Sequence, residues 1–204
     1  MIGKAYDNGV PRKLLKHVVI VHGYTASPNV NWFPWLAEVL REQGAQVSIP
    51  AMPDSFNPDP IKWALALQQS LPAADTNTIL IGHSLGFIAA IRHLLSLPAH
   101  TLTGGVLLVS GFDRTVSTLP ELHAFTDAPL DHAEVCRRTQ KIISLFSDND
   151  SIVEPAASIE LSRNLKAEQQ VVSGGGHFLD REGFVQFPEI YTVIARLLGH
   201  ETQI

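Results

Sequence analysis

Short apolar strands that alternate with amphipathic helical segments constrain the fold of this chain more than any other feature of its sequence. The run Val18–Val21 has apolar side chains on both faces, which is typical of a strand covered on both sides in a parallel sheet. The six predicted strands cover residues 18–21, 46–49, 78–81, 105–109, 141–146 and 169–172. Repeated strand–helix units predict an α/β fold in three layers, with about six mainly parallel strands flanked by helices.

The length and composition of the chain agree with one globular domain. Of the 204 residues, 45% are hydrophobic and 17% are charged, which is ordinary for a chain that buries a core. We therefore expect a single domain over residues 1–204, with residues 1–12 as a peripheral tail.

Charge and cysteine content narrow the possible partners and compartments. The net charge of −5 and the absence of a basic run argue against nucleic acid and membrane surfaces as partners. No apolar run approaches the ~20 residues of a membrane span, and the polar N-terminal residues lack the apolar core of a signal peptide. The single cysteine, Cys136, excludes an internal disulfide. We expect a cytoplasmic protein that is a monomer or a dimer. The sequence neither indicates nor excludes a protein partner.

A serine follows the third predicted strand, in the segment Gly82-His83-Ser84-Leu85-Gly86, and an apolar helix begins directly after it. The strand–turn–helix context and the G-x-S-x-G pattern are those of a turn that exposes a nucleophilic serine. Side chains at Gly82 or Gly86 would crowd so sharp a turn. The alternative interpretation is a helix N-cap, in which Ser84 only accepts a bond from a backbone N–H.

A nucleophilic serine needs a base, and among nine histidines the candidate is His177. It follows the last predicted strand after three glycines, which allow the backbone to place an imidazole over the sheet edge. A carboxylate is expected after a strand, between Ser84 and His177 in the sequence. The loop after the fifth strand contains two. We favour Asp150 over Asp148 as the partner of His177 Nδ1–H. Asp148 is then interpreted as a turn or helix-capping residue.

Backbone amides are expected to stabilise the negative charge that develops on a carbonyl oxygen under attack. The predicted oxyanion donors are the N–H groups of Leu85, after the serine, and Tyr24, after the first strand. His22 and His83 flank these positions and are interpreted as residues that pack there or support the reacting groups. No metal-ligand spacing is present, and no cofactor is expected. Residues 112–132 form either a flap or an exposed loop with a short helix.

Several segments together resemble a known family, the small YdeN-like and retinoblastoma-binding-protein-nine-like serine hydrolases of the α/β-hydrolase superfamily. The segments are Val19–Gly23, Met52–Asp54, Ile81–Gly86, Ser147–Asp150 and Gly176–Phe178. The resemblance spans nearly the full chain and implies a minimal fold without a lid and a triad of Ser84, Asp150 and His177. The segment Met52–Phe56 follows a strand, and we expect either a pocket wall or a proline-fixed loop there.

The leading hypothesis is a carboxylesterase-like serine hydrolase (EC 3.1) that cleaves an ester, thioester or activated amide through an acyl-enzyme. Its partner would be a small-molecule acyl substrate. The alternative is a hydrolase-fold protein-interaction module with little turnover. Other hydrolytic chemistry, such as cleavage of a C–C bond, is compatible with the same fold.

Overall fold

The computed structural model describes residues 6–7, 10–11 and 16–199. The two short segments form an antiparallel pair, β1 (Tyr6–Asp7) and β2 (Val10–Pro11). The other residues of the predicted peripheral tail 1–12 lie outside the described residues, so the tail stays a prediction.

Six parallel strands form the central sheet. They are β3 (His17–Val21), β4 (Gln46–Ser48), β5 (Thr78–His83), β6 (Gly105–Val109), β7 (Ile142–Ser147) and β8 (Glu168–Val172). Their spatial order is β4-β3-β5-β6-β7-β8, and each adjacent pair is parallel. All six predicted strands are present, and the predicted α/β fold class is confirmed.

Helices cover both faces of this sheet. They are α1 (Phe33–Glu42), α2 (Pro60–Ser70), α3 (Leu85–Ser96), α4 (His132–Arg137), α5 (Pro155–Asn164) and α6 (Pro188–Leu198), with 3₁₀ helices at Pro120–Phe125 and Asp180–Glu182. The sequence did not predict α4, because a helix of six residues is too short to show a helical period. Within residues 16–199, no helix has the length and apolar character needed to cross a bilayer.

Successive residues of the central strands enter different halves of the core. Val19 and Val21 of β3 belong to the cluster that includes α2, α3 and α5. Val18 and Ile20 belong to the cluster on the other face, with α1 and α6. Side chains alternate between the faces of a strand, so a sheet covered on both faces requires an unbroken apolar run. This double burial fixes β5, and the turn at its end, in the middle of the molecule.

Residues 112–132 are anchored to the core at intervals. Leu122 and Phe125 of the 3₁₀ helix are buried. Arg92 of α3 donates from Nε to the Phe125 carbonyl oxygen over 3.0 Å. Thr118 and Leu119 line the cavity described below. The segment therefore combines the two predicted alternatives, because it contains a short helix and also contributes to a cavity wall.

Candidate active site

Ser84 lies on the tight turn between β5 and α3. Its backbone angles, φ 54° and ψ −125°, fall where residues with a side chain are rarely found. A Cβ atom at Gly82 would lie 2.3 Å from Phe87 Cα, and one at Gly86 would lie 2.1 Å from the Val21 carbonyl oxygen. The predicted crowding is therefore real: only glycine at these two positions allows α3 to begin so close to the sheet.

The side chain of Ser84 does not cap α3. Ser84 occupies the N-cap position, but within residues 16–199 no hydrogen bond joins its hydroxyl to the first turn of α3, so the interpretation of its side chain as a helix cap is wrong. Ser84 instead lines a cavity of about 340 Å³ at the carboxyl end of the sheet, together with His83 and His177. The position is that expected for reacting groups in a parallel α/β fold.

His177 and Asp150 form a buried pair beside Ser84. The Nδ1 atom of His177 lies 2.7 Å from Asp150 Oδ2, and both side chains are almost fully buried. The other carboxylate oxygen accepts the N–H groups of Ile152 and Val153 at 2.8 and 3.0 Å. Burial alone would raise the pKa of Asp150, but the bond to His177 and the two N–H groups outweigh it and lower the pKa. The carboxylate is therefore ionised and orients the imidazole.

Asp148 has a different set of contacts. Its carboxylate accepts the Gly174 N–H at 2.8 Å and the Ser173 hydroxyl at 2.8 Å. The Gly174 N–H bond, followed by that of Ser173, lowers the pKa of Asp148. Of the two aspartates that the sequence offered, only Asp150 contacts His177 in the described structure. Asp148 holds the start of the loop that carries His177.

The loop from residue 173 to residue 177 is attached to the loop after β7 at nearly every position. The Gly175 N–H donates to Ser147 Oγ over 2.9 Å, and the Gly176 N–H donates to Asn149 Oδ1 over 2.8 Å. Ser147 Oγ donates to Asn149 Oδ1 over 2.6 Å. Neither Ser147 nor Asn149 was predicted to be a functional residue, because no local pattern reveals partners that are 27 or 28 positions away.

Two backbone N–H groups beside Ser84 have no acceptor. Among residues 16–199, neither the Tyr24 amide nor the Leu85 amide donates a hydrogen bond. A Cβ atom at Gly23 would lie 3.0 Å from Ser84 Cβ and 3.6 Å from Leu85 N, so the loop after β3 packs directly on the turn. Unsatisfied amides beside a cavity are available to an oxygen that enters it.

His22 supports this loop. Its Nδ1 bonds the Gly23 carbonyl oxygen at 3.0 Å, and its Nε2 accepts the Met52 N–H at 3.0 Å. Met52 itself is buried in the core, and residues 52–56 are absent from the lining of the described cavity. The pocket-wall expectation for this segment is therefore wrong. Its backbone is needed to satisfy the buried His22 ring.

His83 lies between Ser84 and the loop that carries His177. Its Nε2 donates to the His177 carbonyl oxygen over 2.9 Å, and the two imidazole rings are 4.9 Å apart. Burial, and then the nearby charge of a protonated His177, lower the pKa of His83 to about 3. His83 is therefore neutral at ordinary pH, with its one proton on the Nε2 atom that donates to the His177 carbonyl oxygen.

The remaining wall of the cavity is mixed in character. It comprises Tyr24, Thr25, Ala26, Val30, Asn31, Thr118, Leu119, Ile152, Leu179, Asp180 and Arg181. In the described part of the chain, no hydrogen bond joins the Ser84 hydroxyl to the His177 ring. Such bonds are often long in free enzymes and tighten when substrate binds.

A parallel sheet with a serine on a strand–helix turn at its carboxyl end is the architecture of the α/β hydrolases, and structures similar to this one belong to that class. Within this class the chain belongs to the serine hydrolase family, whose model, described as "Serine hydrolase", matches residues 18–196.

Relatives of known sequence and structure agree with this assignment. The chain is 36% identical to the YdeN protein of Bacillus subtilis (strain 168) over 93% of its own length and 100% of that protein. The crystal structure of the B. subtilis ydeN gene product superimposes with a TM-score of 0.87 over 90% of this chain and 99% of that chain. The serine hydrolase RBBP9 of Rattus norvegicus is 25% identical, with 82% of this chain and 86% of that protein covered.

Proposed function

We propose that this protein hydrolyses small acyl esters, or related thioesters and activated amides, through a catalytic triad of Ser84, His177 and Asp150. One observation carries the proposal. A strained serine lies in the same cavity as a buried imidazole, and that imidazole is bonded on its far side to a buried carboxylate. A nucleophile, a base and a group that orients the base are the three parts that this chemistry requires.

The proposed mechanism uses these three residues and two backbone amides in turn. His177 Nε2 takes the hydroxyl proton as Ser84 Oγ attacks the carbonyl carbon, and the carbonyl oxygen becomes an oxyanion. The free N–H groups of Tyr24 and Leu85 bind that oxyanion. His177 then returns the proton to the leaving oxygen as the acyl–oxygen bond breaks. A water molecule, deprotonated by the same imidazole, attacks the acyl-enzyme and releases the acid and free Ser84.

The cavity favours a small acyl group. Its volume of about 340 Å³ is near the lower limit for small-molecule sites, roughly 300–1,000 Å³. Ala26, Val30 and Leu119 offer apolar contact to an acyl chain. The expected substrate is therefore a compact ester whose acyl part is short and aliphatic.

A series of p-nitrophenyl esters tests this function directly. We expect kcat/KM to be highest for acyl chains of a few carbons and to fall steeply for long chains, because the cavity cannot enclose them. A fluorophosphonate probe should label the protein at Ser84 and abolish the turnover. A folded protein that is neither labelled nor active on any ester would instead support the interaction-module alternative.

Substitution of the two aspartates tests which one orients His177. Asp150→Asn should lower kcat about 10³–10⁴-fold, because its amide nitrogen would face Nδ1 and favour the wrong tautomer of the imidazole. Asp148→Asn should keep kcat within about three-fold, because the amide oxygen can still accept the Gly174 N–H. Steady-state kinetics on one short-chain ester measures both variants. The reverse order of effects would show that the acid has been assigned to the wrong residue.

A further inference from the structure

The peptide unit of His177 is held by two side chains, one on each side. On the amide side, Glu182 Oε2 accepts the His177 N–H over 2.9 Å. On the carbonyl side, His83 Nε2 donates to the His177 oxygen over 2.9 Å. The bond that His177 Nδ1–H donates to Asp150 fixes the ring, so the backbone and the side chain of His177 are each fixed independently.

The contacts of Glu182 extend beyond the cap of its own helix. The same oxygen, Oε2, accepts the Leu179 N–H over 3.0 Å and so satisfies the N-cap amide of the 3₁₀ helix Asp180–Glu182. That cap does not require the second bond, to His177, which lies outside the helix. The carboxylate thus joins the imidazole loop to Leu179, a residue of the cavity wall.

The glycine at position 176 leaves room for the Glu182 carboxylate. Gly176 has a φ of 57°, and a Cβ atom at that position would lie 2.5 Å from Glu182 Oε1. A side chain at residue 176 would therefore displace the carboxylate. The glycine that the sequence suggested as a flexible turn residue serves here to let Glu182 approach the His177 amide.

We propose that Glu182 is a positioning residue for His177, an inference that rests on the proposed hydrolase function. It does not contact the substrate or the reacting atoms. Its role is to fix the amide of His177 so that the imidazole, already oriented by Asp150, stays at the correct distance from Ser84. Without it, the loop would keep its other attachments, including the bond from His83 to the His177 carbonyl oxygen, but the His177 amide would lose its acceptor. A displacement of about 1 Å in a reacting group can cost about 10²-fold in rate.

Three variants of Glu182 test the proposal with a p-nitrophenyl short-chain ester. Glu182→Ala should lower kcat about 10–100-fold and change KM by less than about three-fold, because the wall residues remain. Glu182→Gln should keep kcat within about three-fold, since its amide oxygen can accept the same two N–H groups. Glu182→Asp keeps the charge but shortens the reach, and kcat should fall at least about five-fold. The rate of fluorophosphonate labelling at Ser84 should follow kcat in all three.

Glu189→Ala is the matched control. Glu189 lies in the first turn of α6, and its carboxylate forms no hydrogen bond or ion pair within residues 16–199. Its removal changes the net charge equally, and kcat should stay at the wild-type value.

Several results would overturn the proposal. One is wild-type kcat in Glu182→Ala, and another is a loss in Glu182→Gln as large as in Glu182→Ala. If Glu182→Ala does not fold, the comparison of Glu182→Asp with Glu182→Gln decides, and equal kcat in these two contradicts the role. Failure of the hydrolase function itself is distinguishable, because the wild-type protein would then be neither labelled nor active.

Discussion

Replacement of Ser84 by alanine should lower kcat on a short-chain ester about 10⁴–10⁶-fold. The proposed mechanism makes the first covalent bond at Ser84 Oγ, and the substitution removes that one atom. The amides of Tyr24 and Leu85 would remain, so a small residual acceleration over water, about 10³–10⁴-fold, should persist. Initial rates at saturating ester measure the loss, and mass spectrometry after fluorophosphonate treatment should show no adduct.

The Ser84→Ala result is informative because the fold should not change. Ser84 makes no capping bond to α3 that the substitution could remove. Ser70→Ala is a suitable control, since this exposed hydroxyl on α2 only donates to the Ala66 carbonyl oxygen, and kcat should remain at the wild-type value. Turnover by Ser84→Ala within about ten-fold of wild type would rule out the acyl-enzyme mechanism.

The sheet was predictable because each of its central strands is an unbroken apolar run in the sequence. A strand covered on both faces must be apolar at every position, as in β5 and β6, and the sequence shows that property directly. The position of Ser84 was predictable for a related reason. The turn after β5 leaves no room for a Cβ at Gly82 or Gly86. Glycine is therefore required on both sides of the serine, and this requirement is visible in the sequence.

The placement of His177 and Asp150 was predictable from topology. In a parallel sheet the carboxyl ends of all strands lie at one edge, so residues that follow β5, β7 and β8 converge there. The topology alone did not separate Asp148 from Asp150, which both follow β7. The preference for Asp150 agrees with the contacts, since its carboxylate reaches Nδ1 whereas that of Asp148 reaches Gly174.

The supports of the site could not be predicted, because they are bonds between side chains and distant backbone atoms. His83 was interpreted as a packing or supporting residue, but its partner, a carbonyl oxygen 94 positions away, could not be identified from the sequence. Glu182 lies in an exposed polar segment with no distinctive pattern. Residues 52–54 follow a strand, as the functional loops do, but they turn inward at Met52 to satisfy His22. The carboxyl end of a parallel strand predicts the edge of the sheet at which the following loop lies. It does not predict the direction in which the side chains of that loop point.

Replacement of His177 by alanine should match the effect of Ser84→Ala, with kcat about 10⁴–10⁶-fold below wild type near neutral pH. The reason is that a serine hydroxyl without a base is a poor nucleophile, and His83, the other imidazole in the cavity, donates its Nε2 proton to the His177 carbonyl. Fluorophosphonate labelling should slow in parallel, although Ser84 remains. His123→Ala, at an exposed histidine outside the cavity lining, should keep wild-type kcat.

The comparison of His177→Ala with Asp150→Asn separates the role of the His177–Asp150 pair in activity from its role in stability. Removal of His177 leaves the buried Asp150 carboxylate with only the Ile152 and Val153 N–H groups, so its pKa should rise toward the value that burial favours. The protein should therefore also lose stability in urea, and the loss should be larger at pH 7 than at low pH, where that carboxylate is protonated. Asp150→Asn avoids this buried charge and keeps an imidazole, so it should unfold at a higher urea concentration than His177→Ala at pH 7. Equal activity in His177→Ala and wild type would remove the base from the mechanism, whatever the stability result.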